Sequence, residues 1–338
     1  MGPPLSAQRS AAERLHRHSL TRVTVLDDFR IMFLPIPKSG CTSVLWSLAD
    51  LAGLSRDRFV ASRAAEVSRS MAIHDMTLWE PQHRWKSRSE TERQQILDSP
   101  DWLRLSIARN PAPRLWSAWQ SKILLQEPRF VERFSGEAWF PGRADSVDQV
   151  IESFRAFVHA LDTDPDDAPH DAHWGPQRDL MAGFDLSWVG RAEDPAATWS
   201  RLASHLGPRA RIRDDAPREN ANPIGYHPCV YDAATADVLN RVYAGDLVDF
   251  GYQPLDVAAT PDASEWRGQA ATRLLLVNEL VDRHLRIGEL LSIVAEQQHR
   301  LQAVRRDAAA AVAEVAAIRA STSWRVTAPL RGLRRPRR

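Results

Sequence analysis

Residues 37–43, Pro-Lys-Ser-Gly-Cys-Thr-Ser, have the composition of an oxyanion-binding loop. They follow the apolar run 31–36, which reads as a short buried strand, and precede residues 44–51, whose apolar spacing is helical. A loop between a strand and a helix start directs backbone amides and the positive end of the helix dipole toward one point. Lys38 adds a point charge, and the hydroxyls add donors. The segment predicts a phosphate or sulfate site; the alternative is a strand–helix turn with a solvated lysine.

The presence of a lysine in this loop is informative, because almost every basic residue in the chain is an arginine. Of 44 basic residues only Lys38, Lys86 and Lys122 are lysine. A nucleoside-triphosphate P-loop places its lysine after a second glycine, whereas Lys38 precedes the loop's only glycine. A cysteine phosphatase would need an arginine six residues after Cys41, where this chain has Ser47. Cys41 is therefore interpreted as a small loop residue, and a Gly-x-Gly-x-x-Gly fingerprint is absent from this turn.

A second group of residues has the pattern of another phosphate site. The apolar run 103–108 reads as a strand and is followed by Arg109-Asn110-Pro111, then by a predicted helix in which Ser117 lies about two turns from the start. Arg109 then lies at the carboxyl end of a strand, where open α/β sheets bind ligands. An arginine fork with a nearby hydroxyl suits a phosphate. The alternative is an ordinary strand–helix junction with surface arginines.

Taken together, the two motifs resemble those of the PAPS-dependent sulfotransferases. Residues 37–43 resemble the loop that holds the 5′-phosphosulfate in that family, and residues 109–117 resemble its 3′-phosphate motif, with Arg and Ser eight positions apart. The wording Arg-Asn-Pro-x-x-Arg-Leu-x-Ser-Ala-Trp is closest to carbohydrate sulfotransferases and their bacterial relatives. The resemblance covers roughly residues 22–255 and departs from the usual spelling at Cys41 and Ser43.

The resemblance implies a fold, a donor and a set of binding residues. The fold is α/β, a P-loop-NTPase-like central parallel sheet flanked by helices. The donor is PAPS (3′-phosphoadenosine 5′-phosphosulfate), and no metal is implied. Lys38 would stabilise the leaving 5′-phosphate oxygen, and Arg109 and Ser117 would hold the 3′-phosphate. The 5′-phosphate would be held by the rest of the first loop: Ser39, Gly40, Cys41, Thr42 and Ser43.

An acceptor hydroxyl needs a general base, and histidine is best matched to neutral pH. His74 falls between the two motifs, where related uronyl and galactosaminyl sulfotransferases carry their base, and Asp75 could orient it. His173, in a His-Trp-x-Pro-Gln segment that the family shares, is the second candidate. Glu80 is a distant third. For either histidine, a packed or surface role is the alternative to catalysis.

Length and composition set broader limits. The chain has 338 residues, 43% of them hydrophobic, and a formal net charge of +1, which argues against general nucleic-acid binding. Two cysteines provide neither a disulfide framework nor a zinc site and fit a reducing compartment. The first 20 residues lack the apolar core of a signal peptide, and no apolar run is long enough to span a membrane. Eukaryotic carbohydrate sulfotransferases, which the chain resembles, usually have a membrane anchor and lumenal disulfides, so the resemblance together with these features predicts a bacterial-type cytoplasmic enzyme.

The order of patterns along the chain predicts five segments. They are a flexible N-terminus (1–20), a sulfotransferase domain (21–258), a linker (259–268), a helical coiled-coil segment (269–320) and a basic tail (321–338). Within the domain, residues 22–26 and 186–190 read as strands and residues 147–161 as an amphipathic helix. The region from 55 to 100 is charged and reads as mainly helical.

The C-terminal region carries a heptad pattern. Apolar residues recur every seven positions: Leu280, Ile287, Val294, Leu301, Ala308 and Val315. A weaker second stripe (Leu290, Val304, Ala311, Ile318) is interrupted by Arg283 and Gln297. The pattern predicts a coiled-coil homodimer; a long helix packed on its own domain is the alternative. The tail, with Trp324 and five arginines after residue 330, could contact an anionic membrane at the inner face, or remain solvated.

The sequence therefore predicts an enzyme that transfers a sulfuryl group from PAPS to a hydroxyl, most simply on a carbohydrate. A lipid or a small metabolite is the alternative acceptor. A catalytically silent scaffold in polysaccharide assembly is the non-enzymatic alternative. A nucleoside-triphosphate kinase is disfavoured by the position of Lys38.

Overall fold

The protein is built on a four-stranded, mostly parallel sheet. The structure, a computed structural model, describes residues 5–60, 69–163, 168–209, 212 and 222–332. The strands are β1 (Thr24–Leu26), β2 (Ile31–Leu34), β3 (Leu103–Ala108) and β4 (Trp188–Arg191), in the order β1-β2-β3-β4. Strand β1 pairs antiparallel with β2, and the β2–β3 and β3–β4 pairs are parallel.

Helices connect and cover these strands. In chain order they are α1 (Leu5–Leu20), α2 (Cys41–Leu51), α3 (Asp57–Val60), α4 (Glu90–Asp98), α5 (Pro111–Trp119), α6 (Pro128–Phe134), α7 (Val147–Ala160), α8 (Gln177–Met181), α9 (Pro195–Leu206), α10 (Ala233–Val242), α11 (Ala244–Asp249), α12 (Ser264–Ala320), α13 (Thr322–Val326) and α14 (Ala328–Gly332). Between α3 and α4 the described chain forms short 3-10 turns: Arg69–His74, Pro81–His83 and Trp85–Ser87. The predicted α/β architecture is confirmed, and β3 has the predicted bounds.

Both faces of the sheet are buried, as expected of a parallel sheet with crossover helices. Ile31 and Phe33 point to the face covered by α2 and α9, whereas Met32 and Leu34 point to the face covered by α1 and α8. All four residues of β2 are fully buried. The continuous apolar run 31–34 therefore has a simple cause, since neither side of the strand meets water.

The sheet topology brings the two motifs of the sequence to one edge. Because β2 and β3 are parallel and adjacent, with Leu34 opposite Ser106, their carboxyl ends lie side by side. The loop after β2 carries Lys38, and the residue after β3 is Arg109. This is the position in which open α/β sheets hold ligands.

The N-terminal segment, predicted from the sequence to be flexible, is helical over most of its length. From Leu5 to Leu20 it forms α1, and Leu15 and Ser19 are buried. The His16 ring bonds through Nδ1 to the carbonyl oxygen of Ala182, 2.8 Å away. The helix is stabilised by packing on the sheet and α8 rather than by a strong amphipathic pattern of its own, so the sequence carries little sign of it.

The chain divides into two compact units, one ending at Leu285 and one beginning at Arg286. Within the first unit, α12 begins at Ser264 and buries Ala270, Val277 and Val281. The Asn278 amide donates to the carbonyl oxygen of Ala144, at 3.0 Å. The second unit holds the remainder of α12, most of whose large apolar residues are exposed, together with α13 and α14. Residues 333–338 of the predicted basic tail lie outside the described residues. None of the described helices is long and apolar enough to cross a bilayer.

Candidate active site

The loop after β2 has the geometry of an anion cradle. Gly40 is the N-cap of α2 with φ 81°, a left-handed conformation that favours glycine. Lys38 also adopts a positive φ, 68°, which is uncommon for a residue with a side chain and marks a constrained turn. This backbone path brings the Lys38 loop (residues 37–43) to the N-terminus of α2, so the free amides of the first helical turn face the same point.

The charge of Lys38 is available for a ligand. Among the residues that the structure describes, no carboxylate forms an ion pair with its ammonium group. Burial, the largest effect, and the nearby charges of Lys122 and Arg109 together lower the Lys38 pKa from its ordinary value to about 7, against the opposing effects of Glu127 and Cys41. A bound phosphate or sulfate would remove much of this cost, because it supplies the missing negative charge.

The second motif lies directly beside this loop. Asn110 caps α5 by accepting a hydrogen bond from the Ala112 amide at 3.0 Å, and Pro111 occupies the first helical position. The Arg109 guanidinium donates through Nη1 to the Lys38 carbonyl oxygen at 3.0 Å and, within the described chain, has no carboxylate partner. Ser117, two turns into α5, is 8% exposed. The fold thus brings Arg109 into contact with the Lys38 loop, while Ser117 lies farther along α5.

Arg114, a residue that the sequence analysis did not assign, fixes the backbone of the Lys38 loop. It is 1% exposed and donates to three carbonyl oxygens: Pro37 at 3.1 Å, Gly175 at 2.9 Å and Ala172 at 3.1 Å. Arg114 is the second arginine of the Arg-Asn-Pro-x-x-Arg motif, and this position was the sequence feature that could have identified it. Because its donors are spent on backbone carbonyls, we interpret it as a structural clamp rather than a ligand for the substrate.

Of the candidate bases, His74 contacts the Lys38 loop directly. Its Nε2 lies 3.0 Å from Thr42 Oγ1, and its carbonyl oxygen accepts a hydrogen bond from Arg22 at 2.6 Å. Burial, followed by the charges of Arg22, Lys122 and Lys38, lowers the His74 pKa to about 3. The ring is therefore neutral at physiological pH and able to accept a proton.

His173 is oriented by a carboxylate. Its Nδ1 lies 2.5 Å from Asp171 Oδ1, and Arg133 donates to the other carboxylate oxygen of Asp171 at 2.7 Å. Burial and the charge of Lys122 hold the His173 pKa well below its ordinary value, although the Asp171 hydrogen bond opposes the shift. The pair has the arrangement of a base and its orienting group, but none of its described hydrogen bonds reaches the Lys38 loop.

The remaining predicted residues have clear locations. Glu80 forms an ion pair with Arg58 at 3.0 Å and accepts from Gln82, an arrangement that fits a surface role. Cys41 is buried, and burial raises the pKa of its thiol to about 11, so it is protonated at neutral pH. Ser43 lies partly buried in the first turn of α2.

A second lysine faces the same region. Lys122, 5% exposed, lies in a π-helical turn, Gln120–Leu124, that continues α5, and it forms a close ion pair with Glu127. Its charge contributes to the lowered pKa of Lys38 and of both candidate histidines. Lys122 is one of only three lysines in the sequence, and this rarity could have identified it as a candidate site residue. Its location in a π turn fits the same interpretation, because such turns often occur at functional sites.

Comparison with known proteins agrees with the arrangement of the two motifs. No curated protein and no solved structure matches the chain significantly. A profile of the sulfotransferase family matches residues 21–253, which is more than half of the chain and includes the Lys38 loop, Arg109 and both candidate histidines. The chain therefore belongs to the sulfotransferase family.

Proposed function

We propose that the protein transfers a sulfuryl group from PAPS to an acceptor hydroxyl, most simply on a carbohydrate. The observation that carries the proposal is the contact between the two motifs, in which the Arg109 guanidinium donates to the Lys38 carbonyl oxygen. Two basic side chains on adjacent loops, neither ion-paired with a carboxylate among the described residues, match a donor with two separate anionic groups. ATP has no 3′-phosphate, so it would leave the Arg109 site without an anion.

The residues divide the work of binding and charge stabilisation. The acceptor oxygen forms a bond to sulfur as the bond between sulfur and the 5′-phosphate oxygen breaks. Lys38 neutralises the charge that develops on that oxygen, and the amides of the first turn of α2 hold the phosphate. Arg109 and Ser117 hold the 3′-phosphate. As in phosphoryl transfer, positioning and electrostatics account for most of the catalysis.

The acceptor proton passes to a base, which we propose is His74. The supporting observation is its hydrogen bond to Thr42 in the loop that would hold the phosphosulfate. A neutral imidazole can take the proton, and the negative charge of the bound donor would raise the low His74 pKa toward the working range.

The decisive test is transfer of labelled sulfate from PAPS by the full-length protein. The acceptors to compare are a polysaccharide extract, a lipid extract and a set of small phenols and alcohols. Label in the polysaccharide fraction supports a carbohydrate acceptor. Label found only in the lipid or small-molecule fraction would show that the acceptor is a lipid or a small metabolite instead. Tight binding of PAP (3′-phosphoadenosine 5′-phosphate) without transfer to any fraction would favour a silent scaffold.

The two histidines can be distinguished by kinetics. We expect His74→Gln to lower kcat by about 100-fold or more, because general-base catalysis contributes about 10²–10⁴-fold, with PAP affinity unchanged within about threefold. We expect His173→Gln to lower kcat less, since it does not contact the loop. The measurement is sulfate transfer at saturating PAPS. The opposite ranking would assign the base to the His173–Asp171 pair.

Donor binding should take up a proton above neutral pH. The pKa of Lys38 is about 7 in the free protein, and bound phosphate raises it, so at pH 8 the lysine is mostly neutral before binding and charged afterwards. At pH 6 it is charged in both states. PAP affinity therefore falls as pH rises through 7 to 9, by at most about tenfold per pH unit. Calorimetry in buffers of different ionisation enthalpy counts the protons. The same uptake in Lys38→Met would contradict this assignment.

We further propose that the second unit forms a homodimeric coiled coil. The exposed side chains along α12 include the predicted seam residues Val294, Leu301 and Val315, each close to half exposed. Val294→Asp with Leu301→Asp should convert a dimer to a monomer in light scattering, because a buried charge opposes the seam. Val312→Asp, on the same helix but outside the seam, is the matched control. A wild-type monomer would reject the proposal.

A cytoplasmic location, with contact to the inner face of a membrane, is also a proposal. Trp324, Val326 and Leu330 are exposed in the described part of the tail, and Arg331 lies over the Trp324 ring, 3.7 Å from its centroid. Aromatic and cationic groups together favour an anionic bilayer surface. Binding to anionic vesicles that weakens as salt rises would support the contact, and equal binding to neutral vesicles would contradict it.

A further inference from the structure

One buried side chain joins the Lys38 loop to Arg109. Gln177, the first residue of α8, is fully buried. Its Oε1 accepts from the Ser39 hydroxyl at 3.2 Å and from the Arg109 amide at 2.9 Å. Its Nε2 donates to the Arg109 carbonyl oxygen at 2.8 Å. A single amide therefore holds the peptide groups on both sides of Arg109 and the residue that follows Lys38.

The orientation of this amide is determined by its partners. The fourth hydrogen bond runs from Nε2 to Asp246 Oδ2 at 3.1 Å, so all four hydrogen-bonding positions of the Gln177 side chain are filled. Turning the amide over would place its NH₂ group against two donors and its oxygen against two acceptors. One orientation is therefore strongly preferred.

Asp246 fixes the backbone that carries the glutamine. This carboxylate of α11 is fully buried and accepts from the amides of Gln177 and Arg178, each at 2.8 Å. The Gln177 side chain thus rests on a fixed support outside the sheet. Unlike Arg114, which ties the backbone of Pro37, Ala172 and Gly175 to α5, Gln177 bonds to the backbone of the residue whose side chain would hold the 3′-phosphate.

We propose that Gln177 is a positioning residue that couples the two donor sites, so that the 3′-phosphate at Arg109 helps to fix the loop that carries Lys38. The inference rests on the proposed PAPS chemistry. When the 3′-phosphate holds Arg109, the peptide groups around that residue become more rigid. Gln177 transmits the constraint to Ser39 through two hydrogen bonds on one oxygen. The donor's remote phosphate then improves the alignment of Lys38, a use of binding energy far from the reacting atoms.

The test compares ligands with and without the 3′-phosphate. PAP and AMP differ only in that group, and Lys38→Met removes the ammonium at the other end of the site. In a coupled site, Lys38→Met weakens PAP binding more than AMP binding. We define the coupling ratio as the fold loss of PAP affinity divided by the fold loss of AMP affinity, and we expect a value of about five, typical of neighbouring groups that interact. In a Gln177→Met background the ratio should fall to about one. Calorimetry on the full-length proteins measures all eight affinities, four in each background.

Gln120 provides a matched control. It is also a fully buried glutamine, and it bridges backbone atoms, donating to the Ile224 carbonyl oxygen at 2.7 Å and accepting from the Ile224 amide at 3.2 Å. Gln120→Met removes two side-chain hydrogen bonds, against four in Gln177→Met, and does not touch the Lys38 loop. It should retain the fivefold ratio even if it lowers the melting temperature as much as Gln177→Met does.

A second variant keeps the test decisive if Gln177→Met does not fold. Ser39→Ala removes only the hydroxyl that donates to Gln177, and it should also bring the ratio close to one. A fivefold ratio that persists in both variants, or a wild-type ratio of one, would overturn the coupling while PAP binding itself stands. A wild-type protein that binds no PAP would instead reject the proposed function.

Discussion

Lys38→Met is expected to abolish most sulfuryl transfer while leaving the protein folded. Removal of one group that stabilises developing charge costs about 10²–10³-fold in kcat in comparable sites. Among the described residues no carboxylate forms an ion pair with the Lys38 ammonium, so its charge is directed to the donor. Methionine keeps most of the side-chain length, and relief of a desolvated ammonium should raise stability slightly. The measurement is labelled-sulfate transfer at saturating PAPS, with thermal melting as the check on folding.

Lys86→Met is the matched control for this variant, because Lys86 is exposed and lies outside the site. It should keep full activity. Retention of more than about one tenth of wild-type kcat in Lys38→Met would show that another cation, such as Lys122, carries the leaving-group charge.

Arg109→Gln is expected to remove selectivity for the 3′-phosphate. Each hydrogen bond to a charged group contributes about 1.5–3 kcal/mol, so loss of a two-pronged contact should weaken PAP binding roughly 100-fold or more. AMP affinity should change little, because the Arg109 backbone and its hydrogen bonds to Gln177 remain. Calorimetry with PAP and AMP measures both values.

Arg191→Gln tests whether any arginine at this sheet edge has the same effect. Arg191 is the last residue of β4 and donates to the carbonyl oxygens of Phe250 and Gly251, so its side chain already bonds to backbone. It should leave the ratio of PAP to AMP affinity unchanged. An equal loss of PAP and AMP binding in Arg109→Gln would mean that the residue supports the loop rather than the 3′-phosphate.

Much of the site was predictable because its motifs are local. The Lys38 loop and the Arg109 motif are each a strand, a short turn and a helix start within about 20 residues, and each motif's residue types suit an anion. The parallel pairing that brings them together follows from the α/β pattern, since crossover connections place the carboxyl ends of strands at one edge.

Other features could not be read from the sequence. The role of Gln177 depends on contacts to Ser39, Arg109 and Asp246, which lie 138, 68 and 69 positions away. Helix α1 has few apolar residues, and its packing against α8 was not apparent from its own pattern. The heptad pattern continues smoothly through residue 285, so the part of α12 that belongs to the first unit is distinguished by its tertiary contacts, such as the burial of Val277 and Val281 and the hydrogen bond from Asn278 to Ala144.

By itself, the sequence predicted the α/β class and the family, and it identified the candidate anion-binding residues. These depend on residue type and short spacing, which a single chain displays directly. Only the tertiary structure decided which side chains share the site. His74 rather than Glu80 meets the Lys38 loop, Lys122 faces the same region, and Gln177 joins the two motifs. The physical reason is that such contacts are formed by packing between segments that are distant in sequence. Hydrophobic burial drives that packing, and because it is not directional, no short sequence motif encodes which side chains will meet.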